Sequence, residues 1–138
     1  MNTSRDKKYS AVVLVQDQNH NYLLHLRDGN TKVMTNQWSF PGGAIENNET
    51  PKSAAVRELK EETNLAAEDI SEIACIPYDA DWNTYIFLAQ VNMKNQKVKV
   101  GEGADLKFFS KTEVQMLLTT LNYTNPFLEF IKKYIAGY

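Results

Sequence analysis

Glu58, Glu61 and Glu62 lie within five positions of one another in the stretch SAAVRELKEETNL. At 100° per residue with Glu58 set at zero, Glu61 falls near ~300° and Glu62 near ~40°, so a helix here places three carboxylates on one narrow face. Like charges at these spacings cost about 0.2–0.5 kcal/mol per pair, which favours a positive counterpart above them. Carboxylate oxygens suit Mg²⁺, with Mn²⁺ as a substitute, and Mg²⁺ takes few protein ligands and leaves positions to water or phosphate. Neighbouring glutamates on a helix are usually a solvated face, with about one chance in ten of function, so the surroundings have to decide.

The helix that would carry them has clear ends. Thr50 is a good N-cap, Pro51 suits the first helical position, and Asn64 stands where a left-handed C-terminal residue is expected, which predicts a helix over 51–63. On the same wheel Val56, Leu59 and Thr63 cluster between ~100° and 160° as its apolar side, while Ala54 and Ala55 flank the acidic face and leave room for a ligand. Ahead of it the apolar residues 38–40 stop at Pro41, Gly42 and Gly43, where paired glycines permit a close backbone approach.

From 43 to 65 the chain reads GAIENNETPKSAAVRELKEETNL. This resembles the Nudix box, in which Gly, five residues, Glu and seven residues lead into Arg-Glu-apolar-any-Glu-Glu-any-Gly-apolar. Matching Gly43, Glu49, Arg57, Glu58, Glu61 and Glu62 by chance is on the order of 10⁻⁸ per start position. The box covers about a sixth of the chain, and the preceding Trp38-Ser39-Phe40-Pro41-Gly42-Gly43 also looks like the segment that leads into it. Asn64 stands in place of the family's Gly, and Asn is the residue that next most readily adopts the left-handed conformation.

What the resemblance implies is an α/β (α+β) fold, an α/β/α sandwich with a mixed central sheet between helices. It implies that Glu58, Glu61 and Glu62 bind divalent cations with the backbone carbonyl of Gly42, and that Glu49 and Arg57 form a structural pair beside Gly43. The implied reaction is attack of water on one phosphorus of a diphosphate, with Glu58 as the first candidate for the base and Glu61 and Glu102 as further catalytic carboxylates. Arg27, Trp38 and Phe40 are the candidate substrate contacts. The expected activity is hydrolysis of a nucleoside diphosphate linked to another moiety, first of all a nucleoside triphosphate. The alternatives are ADP-ribose, a nucleotide sugar or a dinucleoside polyphosphate, and, in another class, a nucleotide-sensing domain without catalysis.

The rest of the chain supplies elements for such a fold. Residues 9–16, 22–27, 70–77 and 84–91 read as strands, the first buried on both faces, and 106–109 as a shorter one. Residues 17–21 form a turn, 28–37 a loop bordering a cleft, and 79–83 a hairpin connection. Residues 111–118 and 126–135 read as helices, the second with Phe127, Ile131, Tyr134 and Ile135 on one side. A polar tail over 1–8 followed by one domain over 9–138 is the expected organisation.

The 138 residues carry a net charge of −2, which disfavours a nucleic acid polymer and leaves a small nucleotide as partner, with a homodimer open. The single cysteine, Cys75, excludes an internal disulfide and is expected to be a small buried hydrophobe. With no apolar start and no span of roughly 20 apolar residues, the expected location is the cytoplasm and no membrane is involved. His20 and His25 are read as ordinary structural residues, while Trp82, Tyr85 and Phe87 join Trp38 as aromatics able to stack on a base, although strand aromatics are more often core.

Overall fold

A computed structural model of the chain describes residues 7–26, 38–99, 105–121 and 124–137. The strands are β1 (Lys8–Gln16), β2 (Tyr22–Leu26), β3 (Trp38–Ser39), β4 (Gly42–Ala44), β5 (Asp69–Pro77), β6 (Trp82–Gln90) and β7 (Asp105–Phe109), and the helices are α1 (Pro51–Thr63), α2 (Lys111–Thr119) and α3 (Pro126–Gly137). The strands form one mixed sheet. β1 and β6 run parallel in unbroken register from Lys8↔Trp82 to Gln16↔Gln90, and the other pairings are antiparallel.

The sheet separates two cores, and β1 feeds both because its side chains alternate. Ala11, Val13 and Val15 meet Leu23, Phe87 and Ala89 beneath Ala54, Ala55, Leu59 and Leu65, which puts α1 on this face. Leu14 meets Tyr22, Leu24 and Ile86 on the other, closed by Val114 and Leu118 of α2 and by Leu128, Ile131 and Ile135 of α3. The expected α/β/α sandwich with a mixed central sheet is the architecture observed.

α1 has the expected bounds because its end signals are local chemistry. Thr50 Oγ1 accepts from the Ser53 N–H and Ser53 Oγ accepts from the Thr50 N–H, a reciprocal capping box. At the other end Asn64 takes φ 67° and ψ 15° and its N–H returns to the Lys60 carbonyl at 2.9 Å. Asn substitutes for the family's Gly here because its short polar side chain tolerates the left-handed region.

Several expectations change. Val56 is half exposed rather than packed, and Ala54 and Ala55 are fully buried instead of leaving room for a ligand. The helix turns the face centred between Leu59 and Glu58 toward β1 and β4, where only small side chains fit. Phe87 is core and unavailable to a base, and Cys75 is exposed on β5 rather than buried. Leu128 joins Ile131 and Ile135 as the fully buried part of α3, with Phe127 and Tyr134 partly buried against the same core, and β1 already includes Lys8. The loop expected over 28–37 lies outside the described residues.

Replacing Asn64 by Gly is expected to leave stability unchanged or raise it by a few tenths of a kcal/mol, and replacing it by Ala to lower it by about 1 kcal/mol, since only the second introduces a Cβ with no local hydrogen-bonding compensation at positive φ. Urea unfolding of the three proteins measures the difference.

Candidate active site

The paired glycines form β4, which lies alongside the first half of β1 with Val12↔Gly42 and Ala11↔Gly43 in register. Neither position has space for a side chain. A Cβ on Gly42 would run into the Ala11 carbonyl and Val12 Cα, and one on Gly43 would stand 2.5 Å from Glu58 Oε2. The second clash reveals the purpose of the approach: the Glu58 carboxylate of α1 lies directly over the β4 backbone.

Arg57 ties the loop after β4 to the helix. Its Nε donates to Glu49 Oε2 at 2.6 Å and its Nη2 to Glu49 Oε1 at 2.9 Å, a bidentate fork, and Nη2 also reaches the Ala44 carbonyl at 3.1 Å. Glu49 Oε1 in turn accepts from the Glu46 N–H, closing a turn that includes Asn48 at φ 70°. The bonds from Arg57, and then from the Glu46 backbone, hold the Glu49 carboxyl down at about 2, well below the ordinary 4.5. The Arg57 guanidinium is correspondingly pushed up, chiefly by its bonds to Glu49 and, less strongly, to Glu58.

The remaining guanidinium nitrogen faces the acidic edge. Nη1 of Arg57 donates to Glu58 Oε2 at 2.9 Å and to Glu61 Oε1 at 3.2 Å. Glu58 is 9% exposed, whereas the Glu61 side chain is 59% exposed. Glu62 points to the opposite side of this pair, accepting from the Gly42 N–H at 3.3 Å through Oε2 and facing His25 Nδ1 at 3.7 Å through Oε1. The three carboxylates share one helical edge, but among the described residues no three His, Cys, Asp or Glu side chains are gathered into a cluster able to hold a metal ion. Glu58 and Glu61 lie toward Arg57 and Glu62 lies toward His25.

The donor set nevertheless fits a hard cation. Glu58, Glu61 and Glu62 offer oxygens, the bare backbone of Gly42 and Gly43 lies beside them, and Glu61 is free enough to rotate. Of the other expected residues, Arg27 and Glu102 lie outside the described residues. His25, read from sequence as an ordinary structural residue, stands against Glu62 instead. Strand parity was the available signal, since His25 is two residues from Leu23 and so shares its face of β2, but nothing local says that a glutamate-bearing helix covers that face.

A cleft of about 680 Å³ opens on the other face of the sheet, between β1, β6 and the α2–α3 layer. Trp38, Phe40, Tyr78, Trp82 and Phe127 supply aromatic walls, and Ser10 Oγ and Thr84 Oγ1 share a hydrogen bond of 2.9 Å on its floor. The cleft is lined by Trp38 and Phe40 but not by the glutamates. It meets the acidic side only at Gly42, Gly43 and Ala44, where β4 pairs with β1 alone.

The family model described as NUDIX domain matches residues 6–129. The chain belongs to the NUDIX family. It is 44% identical over 66 residues to Nudix hydrolase 25 of Arabidopsis thaliana, covering 47% of this chain and 34% of that protein. It is 35% identical over 69 residues to the 8-oxo-dGTP diphosphatase of Escherichia coli K12, covering 50% of this chain and 53% of that one. The chain thus spans between a third and about a half of the length of these curated relatives. In fold it is similar to a solved MutT structure from work on the Aliivibrio salmonicida and Vibrio cholerae proteins, with a TM-score of 0.75 at 18% identity over 96% of this chain and 100% of the other.

Within this NUDIX box the Glu49 shift gives a pH signature. A carboxyl lowered from 4.5 to about 2 contributes stability that is complete above pH 4.5 and is lost as pH falls toward 2. Glu49→Gln should therefore melt below the parent protein at pH 6, with the gap closing progressively between pH 4.5 and 2. Thermal melts across that range test this, and a gap that stays constant with pH would contradict it.

Proposed function

We propose that the protein is a Mg²⁺-dependent pyrophosphohydrolase that cleaves a nucleoside diphosphate linked to another moiety, with nucleoside triphosphates as the preferred class. The observation that carries this reading is the glycine edge. Gly42 and Gly43 line an aromatic cleft suited to a nucleobase and lie directly beneath the Glu58 carboxylate, so a nucleotide held in the cleft would bring its diphosphate to the edge where the three carboxylates begin. Glu58, Glu61 and Glu62 would hold the cation, with the Gly42 carbonyl beside them. A bound Mg²⁺ supplies charge neutralisation on the diphosphate and lowers the pKa of the attacking water.

The chain's own groups divide the remaining work. Trp38 and Trp82 are placed to stack on a base, and their aromatic faces tolerate more than one. Glu58, buried with one oxygen fixed by Arg57, is the candidate to take the proton from water, and Glu102 is the candidate from outside the box. All three box carboxylates are in place, which favours hydrolysis over sensing. The E. coli relative, an 8-oxo-dGTP diphosphatase matched over about half of each chain, supports a triphosphate substrate. The net charge of −2 favours a small nucleotide over a polymer. No described helix is long and apolar enough to cross a membrane, and a lone exposed cysteine suits our placement of the activity in the cytoplasm.

Incubation of the protein and Mg²⁺ with a panel of nucleoside triphosphates, nucleotide sugars and ADP-ribose tests the reading. Pyrophosphate and a nucleoside monophosphate are the products expected from triphosphates. Glu62→Gln, which keeps shape and removes charge, should lower kcat/KM by at least about 100-fold with melting behaviour retained. Turnover within a few-fold of the parent would remove Glu62 from the site.

A further inference from the structure

Glu62 is fixed from two sides by groups outside the box. The Gly42 N–H meets one carboxylate oxygen at 3.3 Å, and His25 Nδ1 faces the other at 3.7 Å, an approach longer than a hydrogen bond. His25 is 6% exposed, and its place on β2 is set by two neighbours, Ser39 across on β3 and Leu106 across on β7. Residues directly opposite in antiparallel strands share a face, so Ser39 stands beside His25 on the α1 side of the sheet. Ser39 Oγ is itself buried and has no hydrogen-bond partner among the described residues. Leu23 and Leu106 on the same face belong to the apolar core. A buried imidazole in such a floor is costly unless it meets polar groups, and the polar group that Nδ1 faces is Glu62.

We propose that His25 is the positioning residue for Glu62. Its Nδ1 holds one carboxylate oxygen while the Gly42 N–H holds the other, so that Glu62 presents a single orientation to the cation. This rests on the reading of the α1 carboxylates as cation holders. The geometry requires a donor at the Nδ1 position specifically. Asparagine places an amide nitrogen close to that position, glutamine places one nearer to Nε2, and leucine fills the space with no donor.

The test uses the full chain with His25→Asn, His25→Gln and His25→Leu. Mn²⁺ binding without substrate is read from the paramagnetic resonance of free Mn²⁺, and the Mg²⁺ concentration for half-maximal turnover is measured beside it. His25→Leu and His25→Gln should weaken Mn²⁺ binding by about 10- to 100-fold and raise the Mg²⁺ requirement by the same factor, and His25→Asn should recover most of it. KM for the nucleotide at saturating Mg²⁺ should move little. Unchanged Mn²⁺ binding in His25→Leu, or equal loss in all three variants with lowered melting temperatures, overturns the positioning role while leaving the proposed function intact. A parent protein that binds no Mn²⁺ overturns both.

Discussion

One guanidinium holds the acidic edge of this molecule together. Arg57 grips Glu49 with two nitrogens and spans Glu58 and Glu61 with the third, so a single positive charge meets three negative ones. Without it, a carboxylate buried as deeply as Glu58 would lack compensation in an apolar setting, and the i,i+3 repulsion along α1 would be unrelieved. The same residue fastens the loop after β4 to the helix through the Ala44 carbonyl, which keeps the glycine strand beneath the glutamates. The rest of the site follows from that attachment.

The acidic edge and the aromatic cleft lie on opposite faces of the sheet and meet at β4. β2 covers only the end of β1, leaving the first half to β4, a strand of three residues whose two glycines are required by contacts below and above. Gly42 is tight against β1 and Gly43 against Glu58. A side chain at Gly42 would press on β1 and one at Gly43 on Glu58, so packing holds both positions at glycine.

Much of this was legible in the sequence because it is written in short-range chemistry. The bounds of α1 follow from Thr50, Pro51 and Asn64, each acting on its own backbone, and the Glu49–Arg57 pair follows from motif spacing. The five expected strands fell within two residues of their expected ends, since alternation and β-branched runs carry that signal, whereas β3 and β4 are too short to carry it. What was hidden depends on which element covers which. Val56 looked apolar on a wheel, but the helix rolls its alanines onto β1, where close approach is needed. Phe87 and Cys75 share the α1 face of the sheet, yet Phe87 is packed in the core and Cys75 is exposed on β5. His25 resembled any strand histidine because its partner arrives 37 positions later in the chain.

The account stands or falls on whether the edge of α1 gathers a cation beside β4. Crystals of the protein grown with Mn²⁺ and measured at a wavelength where manganese scatters anomalously give the direct answer. The account predicts an anomalous peak bounded by Glu58, Glu61, Glu62 and the Gly42 carbonyl, with Glu61 turned away from Arg57. A map from Mn²⁺-saturated crystals with no peak there, and Glu61 still on Arg57, would contradict it.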